Sequence, residues 1–380
     1  MKEVHIWELE RVNIKLNLDF LEEVNTKIFL KFKTKPLAYR EIFKDKEIPF
    51  STFKNLLKKS NMKNFFVPFN IYMKIIVSLG ISKYVLEKNI LAYKTANGPN
   101  YIETPILPIK ITPVFDMILA HNIGDGTVIN PGNGRLPYFG YRQFDKYYRK
   151  LYVKKIEEIF GKIKFKKNYF EKSTRPYCPP VLSTLFFKHY DLNVKSFLSR
   201  SARIPARIFD KNKDFLVSIL IAFIIDEGHI DSTLIVIALK NKSLVSDLKR
   251  ICDILGYDSK ITYRKGEYND YGYLQILRKG MNFFYRDYLF LRKKYPVVDL
   301  GKKGKQIEDS FKIYSRVIQR IPGNQELILK ILENEKLSVN QLALRINMTR
   351  QGVRYHIHNL IKDNKIRIVN KNDSNWLYGV

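Results

Sequence analysis

The sequence predicts an α+β fold that contains an internal duplication. Three observations carry this. Residues 114–126 and 215–228 are both apolar helical stretches that run into an acid followed by glycine. The two acids, Asp125 and Glu227, stand 102 positions apart, about one small subdomain. Each half then reads helix, two strands, helix, two strands, helix. On this pattern residues 1–104 form a helical N-terminal domain, and 105–200 and 201–296 form the two halves. Residues 297–322 form a linker, and 323–380 a winged helix-turn-helix.

The elements follow in order. Leu21, Val24, Ile28 and Phe29 fall at helical spacing. Two short helices follow, broken at Pro49, with Ser51 as N-cap of the second. A third helix precedes Gly80. These three fit a helix-turn-helix and fit equally a plain structural unit. Asn97-Gly-Pro-Asn100 and the prolines at 105, 108 and 113 read as a stiff linker. In the first half, 135–144 reads as a strand and 147–160 as a basic amphipathic helix stopped by Gly161. In the strand 162–170, Lys162, Lys164 and Lys166 share one face and Ile163 and Phe165 the other. The second half repeats this with a strand over 230–240, a helix over 243–255 and a strand placing Lys260, Thr262 and Arg264 together. A strand over 273–278 and a helix over 281–295 complete it. The two basic sheet faces, side by side, make one long positive surface. In the tail, Ser338 and Thr349 cap two helices after a first over 324–334, and a hairpin closes the chain. The third of these helices exposes Arg350, Gln351, Arg354 and Tyr355, types that read phosphates and bases. A winged helix that binds protein would use the same scaffold.

Composition sets the partner class. The 380 residues hold 67 Lys+Arg against 37 Asp+Glu, a net +30. Such an excess points to a polyanion, with solubility as the plainer reading. The longest apolar run, 215–225, is shorter than the roughly 20 residues a bilayer crossing needs, so no membrane partner is expected. Cys178 and Cys252 lack metal-site spacing and read as buried thiols in a reducing, cytoplasmic setting.

The acids carry the chemistry. A single Asp-Gly is a common turn, whereas two copies at matched positions in a duplication are not. At a helix C-terminus a carboxylate meets the negative end of the dipole and calls for a counter-charge. Ala120 and Gly124 on one helix, and Ser218 and Ala222 on the other, permit a close crossing. That crossing brings Asp125 and Glu227 together, where like charges raise a pKa unless a cation lies between them. Mg²⁺ suits such a site because it takes oxygen ligands and joins phosphate substrates. Asp226 is left open, as a third ligand or as a solvated neighbour.

Ile118-Leu-Ala-His-Asn-Ile-Gly-Asp-Gly126 and Leu220-Ile-Ala-Phe-Ile-Ile-Asp-Glu-Gly228 resemble the two motifs of the LAGLIDADG homing endonucleases. Arg203-Ile-Pro-Ala-Arg-Ile-Phe209 resembles the basic-Ile-Pro block of that family. The likeness covers about residues 105 to 295. His121 and Asn122 stand where the family has apolar residues. The resemblance implies a pseudo-twofold pair of αββαββα halves whose antiparallel sheets form a saddle over duplex DNA. It implies that Asp125 and Glu227 bind the catalytic divalent metal, with Gly124 and Asp226 beside them in the metal site. It puts Arg203 where the family often carries a basic active-site residue. The expected function is site-specific cleavage of both strands of double-stranded DNA by a free-standing, Mg²⁺-dependent monomer of the intron-homing kind. Candidate DNA contacts are Arg142, Gln143, Lys164, Lys166, Lys240, Lys260, Arg264, Gln275 and Arg278. Two rivals share the scaffold: a transcriptional regulator built on a LAGLIDADG-like domain plus winged helix, and an intron-splicing maturase.

Overall fold

The computed structural model describes residues 3–44, 47–58, 65–96, 98–165, 176–231, 233–264, 271–314, 323–372 and 375–380. The N-terminal region is not helical throughout, because strands interleave with its helices. In chain order it runs β1 (Val12–Leu16), α1 (Leu18–Phe32), α2 (Lys35–Ile42), α3 (Phe50–Leu56), β2 (Val67–Pro68), α4 (Phe69–Ser78), α5 (Lys83–Lys88), β3 (Ile90–Thr95) and β4 (Tyr101–Pro105). In β1, Val12, Ile14 and Leu16 are buried in alternation, a period of two that short apolar runs share with helices. The expected linker around Asn100 is therefore partly strand: Gly98, Pro99 and Asn100 turn the chain between β3 and β4.

The first half opens with α6 (Pro113–Gly124), then β5 (Gly126–Ile129), β6 (Tyr138–Tyr141), α7 (Lys146–Phe160), β7 (Gly161–Lys164) and α8 (Pro180–Tyr190). The second runs α9 (Lys213–Glu227), β8 (Gly228–Ile230), β9 (Ile235–Leu239), α10 (Lys242–Ile254), β10 (Ser259–Arg264), β11 (Tyr271–Ile276) and α11 (Arg278–Lys294). This is the expected order of helix, two strands, helix, two strands, helix, and its antiparallel sheet has strand order β8-β9-β11-β10. The single strand expected over 230–240 is instead a hairpin turning before Ile235.

The first half departs from the second. Among the described residues its hairpin β5–β6 is a two-stranded ladder, extended by a bridge from Gly140 to Tyr177. Strand β7 pairs with β4 and so joins the five-stranded N-terminal sheet β2-β1-β3-β4-β7. The pairing buries Ile102 against Ile163 and gives the open edge of β4 a partner. Gly161 permits it: its φ is 101°, and a Cβ there would stand 2.5 Å from the Thr104 carbonyl oxygen.

Helices α6 and α9 form the axis of the molecule. Every residue from Pro113 to Ile123 and from Leu216 to Ile225 is buried, so both are apolar all round. Ala120, Ser218 and Ala222 lie buried in them as the close crossing requires. A Cβ on Gly124 would meet Asp226 Oδ2 at 3.2 Å and Phe223 at 3.5 Å. The core around this axis is continuous from Val4 to Ile307. Cys178 and Cys252 are buried free thiols within it.

The expected linker is helical from Lys302 to Tyr314 (α12). Leu300 and Ile307 insert into the main core, and Phe311 stacks on Tyr285 of α11 at 4.6 Å. The tail runs α13 (Asn324–Asn334), β12 (Leu337–Ser338), α14 (Val339–Arg345), α15 (Arg350–Lys362), β13 (Arg367–Asn372) and β14 (Asn375–Gly379). It has a core of its own, with Leu342, Val353, Ile357 and Leu360 at the centre. Among the described residues no helix is long and apolar enough to cross a membrane.

Candidate active site at the helix seam

Asp125 follows the last residue of α6, and Glu227 is the last residue of α9. Both chains turn at once into a strand, through Gly126 and Gly228. A Cβ on Gly126 would sit 2.3 Å from Asn122 Cα, and one on Gly228 2.5 Å from the Ile224 oxygen. Each contact reaches back four residues, so the two ends are built alike. Gly228 has φ −85°, so this close approach, and not a left-handed backbone, is what calls for glycine.

The turns bring Asp125 and Glu227 close enough for each carboxyl to act on the other. Both are half-buried. Burial, with Asp226 and Glu227 nearby, pushes Asp125 up to about 8. Glu227 is also raised, by burial first and then by Asp226. A pair of acids held this close keeps a proton or takes a cation.

One cation comes from the chain. Lys303 of α12 donates from Nζ to the carbonyls of Ile224 at 2.7 Å and Ile225 at 2.6 Å. There it caps the last turn of α9 and faces Asp125, Asp226 and Glu227. Its charged, glycine-flanked surroundings read as linker, so the sequence offered no signal that it enters the seam. The counter-charge that the sequence assigned to a metal is thus already partly present.

Asp226 is not the solvated neighbour that the sequence left open. Its side chain is fully buried, and its charge acts on both Asp125 and Glu227. His121 Nδ1 lies 2.9 Å from Oδ2, and Tyr141 donates its hydroxyl to Oδ1 at 2.6 Å. Burial raises Asp226 to about 8 and holds His121 well below its ordinary value. Lys155, buried nearby, is lowered to about 7 by desolvation. Asn122 donates to the Tyr152 hydroxyl at 2.8 Å, and the rings of Tyr141 and Tyr152 stack at 4.5 Å. The polar residues His121 and Asn122 are therefore the matched partners of a polar cluster under the seam. Gly124 packs against Asp226 and Phe223 of α9.

Arg203 is held elsewhere. Its guanidinium forms a fork on Asp247 of α10, with Nε 2.7 Å from Oδ2 and Nη2 2.6 Å from Oδ1. Asp247 also accepts from the Ile204 amide at 3.0 Å. Among the described residues its bonds go to this carboxylate and none to the acid pair. Such a fork fixes the entry to the second half.

The second sheet presents the expected surface. Lys260 pairs with Gln275 and Arg264 with Tyr271 across β10 and β11, and Gln275 faces Val236 on β9. Cross-strand partners share a face, and Ile237, Leu274 and Ile276 occupy the buried one. Lys240, Lys260 and Arg264 are exposed. Lys240 lies over the Tyr271 ring at 5.6 Å and Arg264 over Tyr273 at 5.5 Å. Basic groups interleaved with aromatics suit a polyanion carrying stackable rings. Arg278 does not join them. It opens α11, and its guanidinium stacks over Phe311 of α12 at 5.2 Å.

In the first half Arg142 is exposed, and its amide donates to the Asp125 carbonyl at 3.1 Å, which places it beside the acids. Gln143 is half-buried and its side chain accepts from the Asp145 amide. Lys164 is exposed on β7, which pairs with β4 of the N-terminal sheet. Lys166 lies outside the described residues. In the tail, Gln351, Arg354 and Tyr355 are exposed on α15, while Arg350 lies 3.7 Å from Asp231 of the second half.

No protein-family model and no curated protein matches the chain. Among solved structures, the chain is similar to mesophilic variants of the homing endonuclease I-DmoI. The match has 17% identity and a TM-score of 0.33, and covers 45% of this chain and 92% of that one.

Proposed function

We propose that the chain is a metal-dependent, site-specific double-strand DNA endonuclease of the LAGLIDADG homing type. The observation that carries this is the contact between Asp125 and Glu227 at two identically built helix ends. A carboxyl pair raised by burial and by the charge of Asp226 fits a hard cation. Among the described residues no cluster of three or more His, Cys, Asp or Glu is arranged to hold a metal. Two carboxylates, with water and phosphate completing the shell, is how Mg²⁺ is commonly held. When bound by Asp125 and Glu227, Mg²⁺ supplies an activated water and stabilises the leaving oxygen of a phosphodiester. The protein's own part is placement. Lys303 holds positive charge against the pair, Arg142 stands beside Asp125, and the face of β9, β10 and β11 lays the duplex along the seam. The chain acts as a monomer, since both acids come from one polypeptide.

Asp125→Asn or Glu227→Gln is expected to abolish Mg²⁺-dependent cleavage of DNA spanning the chain's own locus while leaving binding within about threefold. Loss of binding equal to loss of cleavage would overturn the assignment. A second reading, a DNA-binding regulator, is favoured by the exposed Gln351, Arg354 and Tyr355 of α15. It predicts binding without cleavage by the unaltered protein.

A further inference from the structure

We propose that a cavity beside the β5–β6 hairpin binds one unstacked nucleotide, its base against Tyr138 and Tyr177 and its phosphate toward Arg135. The cavity has a volume of about 620 Å³, within the range of small-ligand sites. Arg11, Arg135, Tyr138 and Tyr177 line it together with Leu136 and Pro179, and among the described residues its wall contains no Asp or Glu. An aromatic wall with only positive charge at its edge matches a planar ring that carries an anion.

The site is built by the local chain. Tyr138 sits on the side of β6 opposite the buried Phe139, so its ring faces outward. Tyr177 is pinned across from it by the bonds Tyr141 N to Pro176 O at 3.1 Å and Cys178 N to Phe139 O at 3.0 Å. Gly140 leaves room for its ring: a Cβ there would stand 3.2 Å from Tyr177 Cε1. The rings meet edge-on at 5.3 Å, which leaves part of each face open. Arg11 closes the opposite wall, donating to the Gly134 carbonyl of the 130–134 turn. Arg135 is exposed at the rim and has no acidic partner among the described residues. The inference rests on the nucleic-acid reading above but not on cleavage. The ligand chemistry, a base with its phosphate, has two sources: a free mononucleotide or an unpaired residue of a bound strand.

The test uses 2-aminopurine, whose fluorescence falls when it stacks. The full chain is titrated with 2-aminopurine deoxynucleoside monophosphate, and with a duplex holding one unpaired 2-aminopurine. Quenching of either probe is expected, the duplex alone if the source is the bound strand. Tyr138→Ala should weaken it about tenfold. Arg135→Ala, at an exposed position that leaves the fold intact, should weaken it severalfold. Glu227→Gln should retain it, so that loss of cleavage and loss of base binding are separate results. Absence of quenching with both probes, or affinities unchanged in both pocket variants, overturns the proposal.

Discussion

Asp226 and His121 show how a residue acquires its role from a partner 105 positions away. His121 and Asn122 are polar where an apolar helix is expected, and Asp226 adds a carboxyl beside Glu227. Each is visible in the sequence as an irregularity. That the irregularities answer one another depends on the helix crossing, which no local pattern encodes. The consequence is a pH dependence whose sign is fixed. Folding raises Asp226 from 3.8 to about 8, so the folded state favours the neutral acid. The stability contributed by that protonation is complete below about pH 4 and is lost as pH rises through about 8. Asp226→Asn keeps an acceptor for Tyr141 and a donor for His121 without a charge to bury. Thermal melts at pH 5 and pH 8 should show the wild type losing more stability between them than the variant. Equal slopes would mean that the carboxyl is not neutral in the folded state.

At the scale of elements, the long periodic helices and the strands β9, β10 and β11 were legible because apolar periodicity and alternation are local. The short strands of the N-terminal region were not, since a few apolar residues such as Ile90 and Tyr93 fit either period. Nor was α12, whose Gly301-Lys-Lys-Gly-Lys run looks solvated. The packing of α12 is decided by distant partners: Phe311 against Tyr285 and Arg278, and Lys303 against the end of α9. Lys303→Met removes two hydrogen bonds to helix-end carbonyls and a cation that faces all three acids. Hydrogen bonds from a charged donor contribute about 1.5–3 kcal/mol each, and water can replace part of that here because Lys303 is not fully buried. A loss of about 1–3 kcal/mol in denaturant unfolding is expected. Millimolar Mg²⁺ should then stabilise Lys303→Met more than the wild type, because the metal becomes the main counter-charge left to the acids. Equal Mg²⁺ effects would separate Lys303 from the acid pair.

For the whole molecule, the proposed function and the distribution of charge together predict which part would hold DNA and which part would choose it. Residues 323–380 hold nine basic and five acidic side chains, a net +4 of the chain's +30. The remaining charge belongs to residues 1–322, which also contain the acid seam and the basic face of the second sheet. Because the tail has its own core, its removal leaves the main core intact. A chain ending at 322 should therefore keep Mg²⁺-dependent cleavage, and the salt dependence of its binding should change by only one or two phosphate contacts. Its affinity for the cognate site should fall by about ten- to a hundredfold, because base contacts of about 1–3 kcal/mol each from Gln351 and Arg354 are gone. Discrimination between cognate and unrelated DNA should fall with it. Cleavage by the shortened chain at reduced selectivity would place the chemistry at the seam and part of the sequence reading in α15. If the full chain binds without cutting and the shortened chain does not bind, the winged helix is the DNA-holding part. The seam is then a structural axis, and the regulator reading replaces the nuclease.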